Sequence, residues 1–240
     1  MKRIIFTLAM MIGCWTINAK TLIVYYSYTN NVEKIVDELR RQIEAEVIEI
    51  GPADKGLDYA ANNYAIGSAQ IAAIRNNPND VSSYPAIDPV NVNLDEYDTI
   101  IVAAPLWWSQ MAAPLQTYLF LNGKQMAGKN IGLIVSSASS GISGVVADAK
   151  RLIPNGHFLN PNLWIRSSQT SSAASMIENW LKDIDYGKIA TGIEDASQDT
   201  VPHYTVYTLS GMRLMHDSAS IDTLTSGIYI INGNRTFISR

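Results

Sequence analysis

Short, continuously apolar runs alternate along this chain with longer segments of helical periodicity. The runs lie at 22–26, 47–50, 99–104, 131–136 and 163–165. A strand with one solvated face alternates apolar and polar residues, whereas a strand buried on both faces of a parallel sheet is apolar throughout. The pattern therefore predicts an α/β architecture in which a five-stranded parallel sheet carries helices on both faces.

The segments that follow these runs have the spacing of amphipathic helices. Val32, Ile35, Val36 and Leu39 recur on one helical face, and charged residues occupy the opposite face. The predicted helices lie at 32–43, 59–74, 114–120, 143–152 and 173–184. A sheet wound in both directions leaves a crevice at the carboxyl ends of its strands, so the loops there are the expected ligand site.

The first 19 residues have the composition of an export signal. Lys2 and Arg3 precede an apolar stretch that closes at Ala19. That stretch is well short of the ~20 residues of a membrane-spanning helix, and no later segment of the sequence reaches that length. We therefore expect residues 1–19 to be removed and the mature protein to reside in the periplasm or at the cell surface.

Cys14 is the only cysteine of the chain, so no intrachain disulfide can form. Two interpretations of this residue stay open. Met11-Ile12-Gly13-Cys14 loosely resembles a bacterial lipoprotein cleavage box, which would make Cys14 an acylated first residue and a lipid anchor. Alternatively, Cys14 is one more small apolar residue of the signal and is lost when cleavage follows Ala19.

Composition argues against several classes of partner and site. With a net charge of −4 and a pI near 5.3, the chain has no basic stripe for nucleic acid or for an anionic membrane surface. His157, His203 and His216 are scattered without metal-ligand spacing, and we interpret them as surface or turn residues. The sequence contains no nucleophile elbow or Walker loop, so we predict no metal site and assign no catalytic side chain.

The loop after the first predicted strand is rich in hydrogen-bonding groups. Ser27, Thr29, Asn30 and Asn31 lie where a helix begins, so their polar groups and the helix-start amides could surround an anion of phosphate size. Capping of the helix and a turn are the competing explanation, although a cap needs only one such residue.

The loop after the third predicted strand carries two adjacent tryptophans, Trp107 and Trp108. Adjacent side chains alternate faces on a strand and diverge by ~100° on a helix, so at least one indole is expected to border a cleft. That indole either offers a flat apolar surface to a ring or merely seals the sheet end. A third loop, Ser136 to Gly144, has small residues that would let a ligand approach the main chain, although serine-rich loops are also plain linkers.

These loops resemble those of the flavodoxins, in particular the short flavodoxin-like proteins of bacteria, and the resemblance covers residues 21–185. The family's phosphate loop, Ser-x-Thr-Gly-Asn-Thr, is similar to Ser27-Tyr28-Thr29-Asn30-Asn31-Val32. The loop that contacts the flavin ring, Pro-Ile-Trp-Trp-Gly-Thr-Met-Pro-x-Pro, aligns without a gap with residues 105–114. The second of these matches is the more specific.

The resemblance implies strand order 2-1-3-4-5 and a noncovalent FMN between strands one and three, an arrangement for which flavodoxin is itself the known example. The residues implied at the phosphate are Ser27, Thr29, Asn30, Asn31 and Val32. The ring would lie between two loops, with the implied contacts Pro105, Leu106, Trp107, Trp108 and Ser109 in one and Ser137, Ser139, Gly141 and Gly144 in the other.

Three departures from the family's pattern touch the implied cofactor. Val32 replaces a threonine, and the loss of one charge-assisted bond would weaken FMN binding by about tenfold to a hundredfold. Asn30 replaces glycine, and asparagine tolerates a left-handed backbone at modest cost. Ser109 stands where the family often has glycine.

After Tyr186 the composition becomes polar, and short β-type runs begin near Pro202. Asn232-Gly233 between apolar alternations predicts a hairpin. The tail resembles the C-terminal segment of many exported Bacteroidetes proteins, which implies sorting to the cell surface; a small β appendage that packs on the main domain is the alternative. We predict a signal at 1–19, an FMN-binding domain at 20–187 and a linker with a β-rich segment at 188–240.

The resemblance implies an exported FMN-dependent redox protein. It would be an electron carrier with a small redox partner, or an NAD(P)H-dependent reductase of a quinone-like acceptor, so its status as an enzyme stays open. The alternative is a non-catalytic binding or interaction module that keeps the fold and has lost FMN, because fold does not determine function.

Overall fold

The computed structural model describes residues 19–191, 204–218, 220–231 and 233–238. The chain divides into two compact units, Met1–Ile193 and Glu194–Arg240. The predicted signal before Ala19, including Cys14, lies outside the described residues, and so does His203. Within the described ranges, no helix has the length and apolar character needed to cross a membrane.

The first unit is built on a parallel sheet. Its strands are β1 (Thr21–Tyr25), β2 (Glu46–Glu49), β3 (Thr99–Trp107), β4 (Gln110–Met111), β5 (Asn130–Ser137), β6 (His157–Phe158) and β7 (Leu163–Arg166). Strands β2, β1, β3 and β5 are parallel neighbours in that order, and β6 and β7 together occupy the fifth position beside β5. The predicted α/β fold and the strand order 2-1-3-4-5 are therefore confirmed.

The fifth strand differs from the predicted run at 163–165 because it has two segments. His157 of β6 pairs with Asn130 at the start of β5, and Leu163 of β7 pairs with Ile134 farther along. Pro161 lies between the segments, and a proline has no N–H to donate to a sheet ladder. Strand β6 has only two residues, which is too short for an apolar pattern to reveal.

Helices cover both faces of the sheet. They are α1 (Asn31–Arg40), α2 (Ala61–Asn76), α3 (Ala113–Asn122), α4 (Ser143–Leu152), α5 (Ala173–Asp183) and α6 (Tyr186–Ala190), with short 3-10 helices at Val81–Ser83, Leu94–Glu96, Gly123–Met126 and Ser167–Ser172. Alternate residues of each strand point to opposite faces, so they enter two apolar cores. In β1, Leu22 and Val24 join the core with α2, α3 and α4, whereas Ile23 and Tyr25 join the core with α1 and α5.

Helix α2 differs from the predicted helix at 59–74. It begins at Ala61, and Asn62, Asn63 and Tyr64 have φ angles of 49°, 55° and 62°. Left-handed backbone costs L-residues roughly 1–2 kcal/mol each. The spacing of apolar residues contains no information about φ, so the sequence does not reveal this break. The regular part of α2 therefore begins only after Tyr64.

The second unit is a four-stranded antiparallel sheet of order β11-β10-β8-β9. Its strands are β8 (Tyr204–Thr208), β9 (Arg213–Ser218), β10 (Gly227–Ile231) and β11 (Asn234–Ile238). The predicted hairpin is confirmed, because Ile231 pairs with Asn234 and Gly233 has a φ of 82°. Asn232 itself lies outside the described residues. The small apolar core of this unit contains Val206 and Leu224 together with Ile231.

Candidate functional site

The loop between β1 and α1 is organised by its own side chains. Ser27 Oγ accepts a hydrogen bond from the Glu33 amide at 3.2 Å, and Asn31 Nδ2 donates to Thr29 Oγ1 at 3.1 Å. Glu33 belongs to the first turn of α1, so Ser27 satisfies one of the amides that a helix start leaves unpaired. The capping role expected of one residue in this loop is therefore filled by Ser27.

Asn30 occupies the N-cap position of α1 with φ 60° and ψ 6°, and its side chain makes no capping bond. This left-handed backbone agrees with the replacement of glycine by one of the few residues that tolerate it. The amides of Thr29, Asn30, Asn31 and Val32 donate to no acceptor within the described residues. Four consecutive unpaired donors where a helix begins are suited to an anion.

Val32 is 2% exposed, and its side chain packs with Ile35 and Leu39 in the core beneath α1. The same residue also borders the cavity described below. At this position the protein therefore offers a main-chain amide and an apolar surface, and the hydroxyl of the family's threonine is missing.

Strands β3 and β4 form a hairpin whose turn is Trp108-Ser109, between the paired residues Trp107 and Gln110. Trp108 and Ser109 have φ angles of 46° and 64°. Positive φ at both central residues is the geometry of a type I′ turn, which Asn-Gly favours. Neither residue is glycine, so each left-handed conformation costs roughly 1–2 kcal/mol. The predicted loop is thus a strained hairpin, and the sequence lacks the turn signal that would have revealed it.

The two indoles have different surroundings. The ring centroid of Trp107 lies 5.6 Å from that of Tyr26, 6.1 Å from that of Tyr28 and 4.9 Å from that of Tyr59. Trp108 is 46% exposed. Its ring lies over Gly67 of α2, where an added Cβ would be 3.0 Å from the indole. Trp107 is therefore fixed by a tyrosine cluster, whereas Trp108 keeps a solvent-accessible surface.

The third loop is tied to its neighbours through Ser137. The Ser137 hydroxyl accepts from Trp164 Nε1 at 2.8 Å and donates to the Ser140 carbonyl at 2.8 Å. At the far end of the loop, an added Cβ on Gly144 would be 1.8 Å from the Ser109 carbonyl oxygen. The small residue at 144 therefore permits close contact between this loop and the β3–β4 hairpin.

The three loops enclose a cavity of about 350 Å³ at the carboxyl ends of β1, β3 and β5. Nothing charged lines it among the described side chains. The predicted site residues that border it are Ser27, Thr29, Asn31, Val32, Pro105, Leu106, Trp107, Trp108 and Ser137. The predicted residues that are not part of its wall are Asn30, Ser109, Ser139, Gly141 and Gly144.

Sequence reasoning missed part of the cavity wall. The additional residues are Tyr28, Tyr59, Tyr64, Gly67, Ser136, Ala138 and Ser167. Tyr28, Ser136 and Ala138 lie inside loops that the sequence had already indicated. Tyr59 and Tyr64 precede the regular part of α2, and no motif marks them, because the fold alone brings that segment beside Trp107.

Burial favours the neutral form of two of the tyrosines beside Trp107, Tyr26 and Tyr59. Burial raises the pKa of Tyr26 above its ordinary value. Burial also raises the pKa of Tyr59, and the hydrogen bond from Tyr59 OH to Gln70 Oε1, 3.2 Å long, offsets part of that rise. A neutral phenol donates hydrogen bonds and is not a base. In the parts of the chain that the structure describes, no cluster of His, Cys, Asp or Glu could hold a metal ion.

Residues 20–184 match a family model described as Flavodoxin. The chain belongs to the flavodoxin family. The matched segment contains the parallel sheet and all three loops of this flavodoxin's cavity, and it ends before the second unit. No curated protein matches the chain with significant similarity.

Solved structures of other proteins share this flavodoxin fold. A proposed flavoprotein of Bacteroides eggerthii is 23% identical with a TM-score of 0.55, and the alignment covers 70% of this chain and 99% of that one. A flavoprotein of Lactobacillus acidophilus in complex with FMN is 21% identical with a TM-score of 0.51, covering 65% of this chain and 99% of that one. At these identities the likeness shows the fold and not the function.

Proposed function

We propose that this flavodoxin binds FMN in the cavity and functions as an exported redox protein. The observation that carries the proposal is the row of unpaired amides at 29–32 at the edge of an uncharged cavity whose wall also includes the exposed indole of Trp108. A phosphate ester needs donors, and no carboxylate opposes it there. A flavin ring needs a flat apolar surface, which the indole provides.

The described residues fit this cofactor. A volume of about 350 Å³ lies within the range of small-molecule sites. The amides of residues 29–32 would hold the phosphate, and Leu106 and Trp108 would orient the ring. The tyrosine cluster beside Trp107 would exclude water from one side. FMN, when bound, supplies the electron-transfer chemistry, while the protein supplies position and electrostatics.

The decisive experiment titrates the purified mature protein with FMN and with riboflavin, which lacks the phosphate. We expect FMN to show shifted absorption and quenched fluorescence, and to bind at least about a hundredfold more tightly than riboflavin because only FMN uses the charge-assisted bonds. Equal affinities would exclude the phosphate site. A protein that stays colourless at high micromolar FMN would favour the alternative, a flavodoxin-fold interaction module.

An assay with NADH or NADPH and a quinone distinguishes two modes of action of the FMN form. A reductase would oxidise NADH or NADPH by itself when a quinone is present. With an electron carrier, NADH or NADPH would be oxidised only after a separate reductase is added. Among the described residues, no Asp, Glu, His, Lys or Arg side chain borders the cavity. The proposed chemistry therefore relies on the cofactor and on its acceptor.

We also propose export by the N-terminal signal. Determination of the first residue of the mature protein tests this, since cleavage after Ala19 and acylation at Cys14 give different N-termini. Detergent-phase partition of wild type and Cys14→Ser supplies the second criterion, because only a lipid anchor would be lost in the variant. Deletion of residues 194–240, the second unit, then tests the tail: loss of surface location supports sorting, and unchanged location supports a structural appendage.

A further inference from the structure

The β3–β4 hairpin is attached to the helices behind it through the main chain of Met111. Met111 lies opposite Leu106, one pair beyond the turn-closing pair, so its main-chain groups point away from the hairpin partner. The Met111 amide donates to Asp148 Oδ2 at 2.9 Å, and its carbonyl accepts from Gln116 Nε2 at 2.7 Å. Side chains of α4 and α3 therefore bind both groups.

Arg151 closes these contacts into a ring. Its Nη2 donates to Asp148 Oδ1 at 3.2 Å and to Gln116 Oε1 at 2.9 Å, and its Nη1 donates to Tyr84 OH at 3.0 Å. Asp148 is 5% exposed and Gln116 is 1% exposed. Burial raises the pKa of Asp148, and the bonds from Met111 and Arg151 offset part of that rise. A buried carboxylate is tolerated only with such donors, so the ring is an organised structure and not a chance surface contact.

The residues of the Trp108-Ser109 turn do not themselves favour the conformation of the turn. Trp108 and Ser109 are both left-handed, and neither is glycine. Backbone in this conformation persists where the surrounding structure over-determines it. The ring supplies one restraint on the hairpin, and the close approach of Gly144 to the Ser109 carbonyl supplies another.

We propose that Asp148, Gln116 and Arg151 are positioning residues for the flavin site. They keep the Trp108-Ser109 turn in the conformation that places both indoles at the cavity. None of the three belongs to the cavity wall that the described residues form, so they act through Met111 and not by touching a ligand. The consequence for FMN rests on the proposed function, whereas the effect on the hairpin can be measured in protein prepared without FMN.

The test compares Asp148→Ala, which leaves the Met111 amide without its acceptor, with Asp148→Asn, which retains a carbonyl oxygen in its place. In cofactor-free protein, we expect Asp148→Ala to shift and broaden the indole N–H signals of Trp107 and Trp108. The signal of Trp180, whose Nε1 donates to the Pro161 carbonyl at 2.7 Å, serves as the internal reference. We expect Asp148→Ala to bind FMN about tenfold or more weakly, and Asp148→Asn to recover most of that loss.

The matched control is Glu178→Gln on α5, which removes an exposed ion pair with Lys182 and should change neither readout. Unchanged Trp107 and Trp108 signals in Asp148→Ala would overturn the proposal, and so would an Asp148→Asn variant as impaired as the alanine variant. If Asp148→Ala does not fold, Gln116→Met tests the ring at the Met111 carbonyl with the same expected result. A wild-type protein that binds no FMN would defeat the proposed function, while the indole signals would still decide the positioning role.

Discussion

The two loops that border the cavity beside β1 and β3 are held in opposite ways. The loop between β1 and α1 is held by its own residues Ser27 and Asn31 and leaves the amides of 29–32 unpaired within the described residues. The β3–β4 hairpin is held from outside, by Asp148 and Gln116, and contains two left-handed residues.

The difference follows from what each loop presents to the cavity. A loop that presents main-chain donors must leave them free, so short-range side-chain bonds organise it. A hairpin that presents aromatic side chains does not need free main-chain groups, so those groups serve as anchors, and the anchors offset the strain of the turn. The first arrangement can be encoded by a few consecutive residues, whereas the second needs residues from distant parts of the chain.

The largest effect is expected from Gly144→Ala, which disrupts the close contact between the start of α4 and the hairpin. The added Cβ would be 1.8 Å from the Ser109 carbonyl oxygen, so α4 or the turn must shift. We expect the free energy of unfolding, measured by urea denaturation, to fall by about 2–3 kcal/mol. Gly141→Ala is the matched control, because nothing lies within 4 Å of an added Cβ there. Equal stability of the two variants would contradict the contact between the loops.

An intermediate effect is expected from Ser27→Ala, which acts on the other loop. The Glu33 amide loses its acceptor, and the loss of a helix cap of this kind lowers the free energy of unfolding by about 1 kcal/mol. Because this loop is held locally, the indole signal of Trp108 should stay unchanged, whereas Trp107 packs against Tyr28 of the loop and is not an independent reporter. Ser139→Ala, at an exposed position outside the cavity wall, is the control for the loss of a serine hydroxyl. An altered Trp108 signal in Ser27→Ala would show that the two loops are not independently held.

The smallest effect is expected from Ser109→Gly, and it is a gain. Relief of about 1–2 kcal/mol of left-handed strain is partly cancelled by the greater freedom of glycine in the unfolded chain, so urea denaturation should show a net stabilisation below about 1 kcal/mol. Asn30→Gly makes the same change in the other loop, and the gain there should be smaller because asparagine already tolerates its φ of 60°. A larger stabilisation by Asn30→Gly than by Ser109→Gly would contradict the proposal that the hairpin turn is the more strained of the two loops.

The apolar pattern of the sequence was sufficient for the main strands and for most helices. The run at 99–104 predicted β3, and the spacing of Val32, Ile35 and Leu39 predicted the inward face of α1, because burial on a strand or a helix recurs at a fixed local interval. The same pattern could not reveal β4 or β6, which have two residues each. It also missed the left-handed start of α2, since a local apolar count contains no information about φ.

The residues of the candidate site form the same two groups, those that the sequence predicts and those that it does not. The predicted group contains Ser27 to Val32, Trp107, Trp108 and Ser137, because hydrogen-bonding residues and adjacent indoles directly follow apolar strands. Tyr59 and Tyr64 were not predicted, because only the fold brings them to Trp107 and to the cavity.

By itself, the sequence determined which segments are buried, where loops follow strands and which loop can offer free donors, since each of these depends on residues that are neighbours in the chain. Only the tertiary structure decided the shape of the hairpin, because Met111 and Asp148 are 37 positions apart and meet when α4 packs against β4. The sequence of a strained turn does not indicate which distant residues stabilise it. Its conformation is selected by the free energy of contacts that form only when the whole sheet and its helices have assembled.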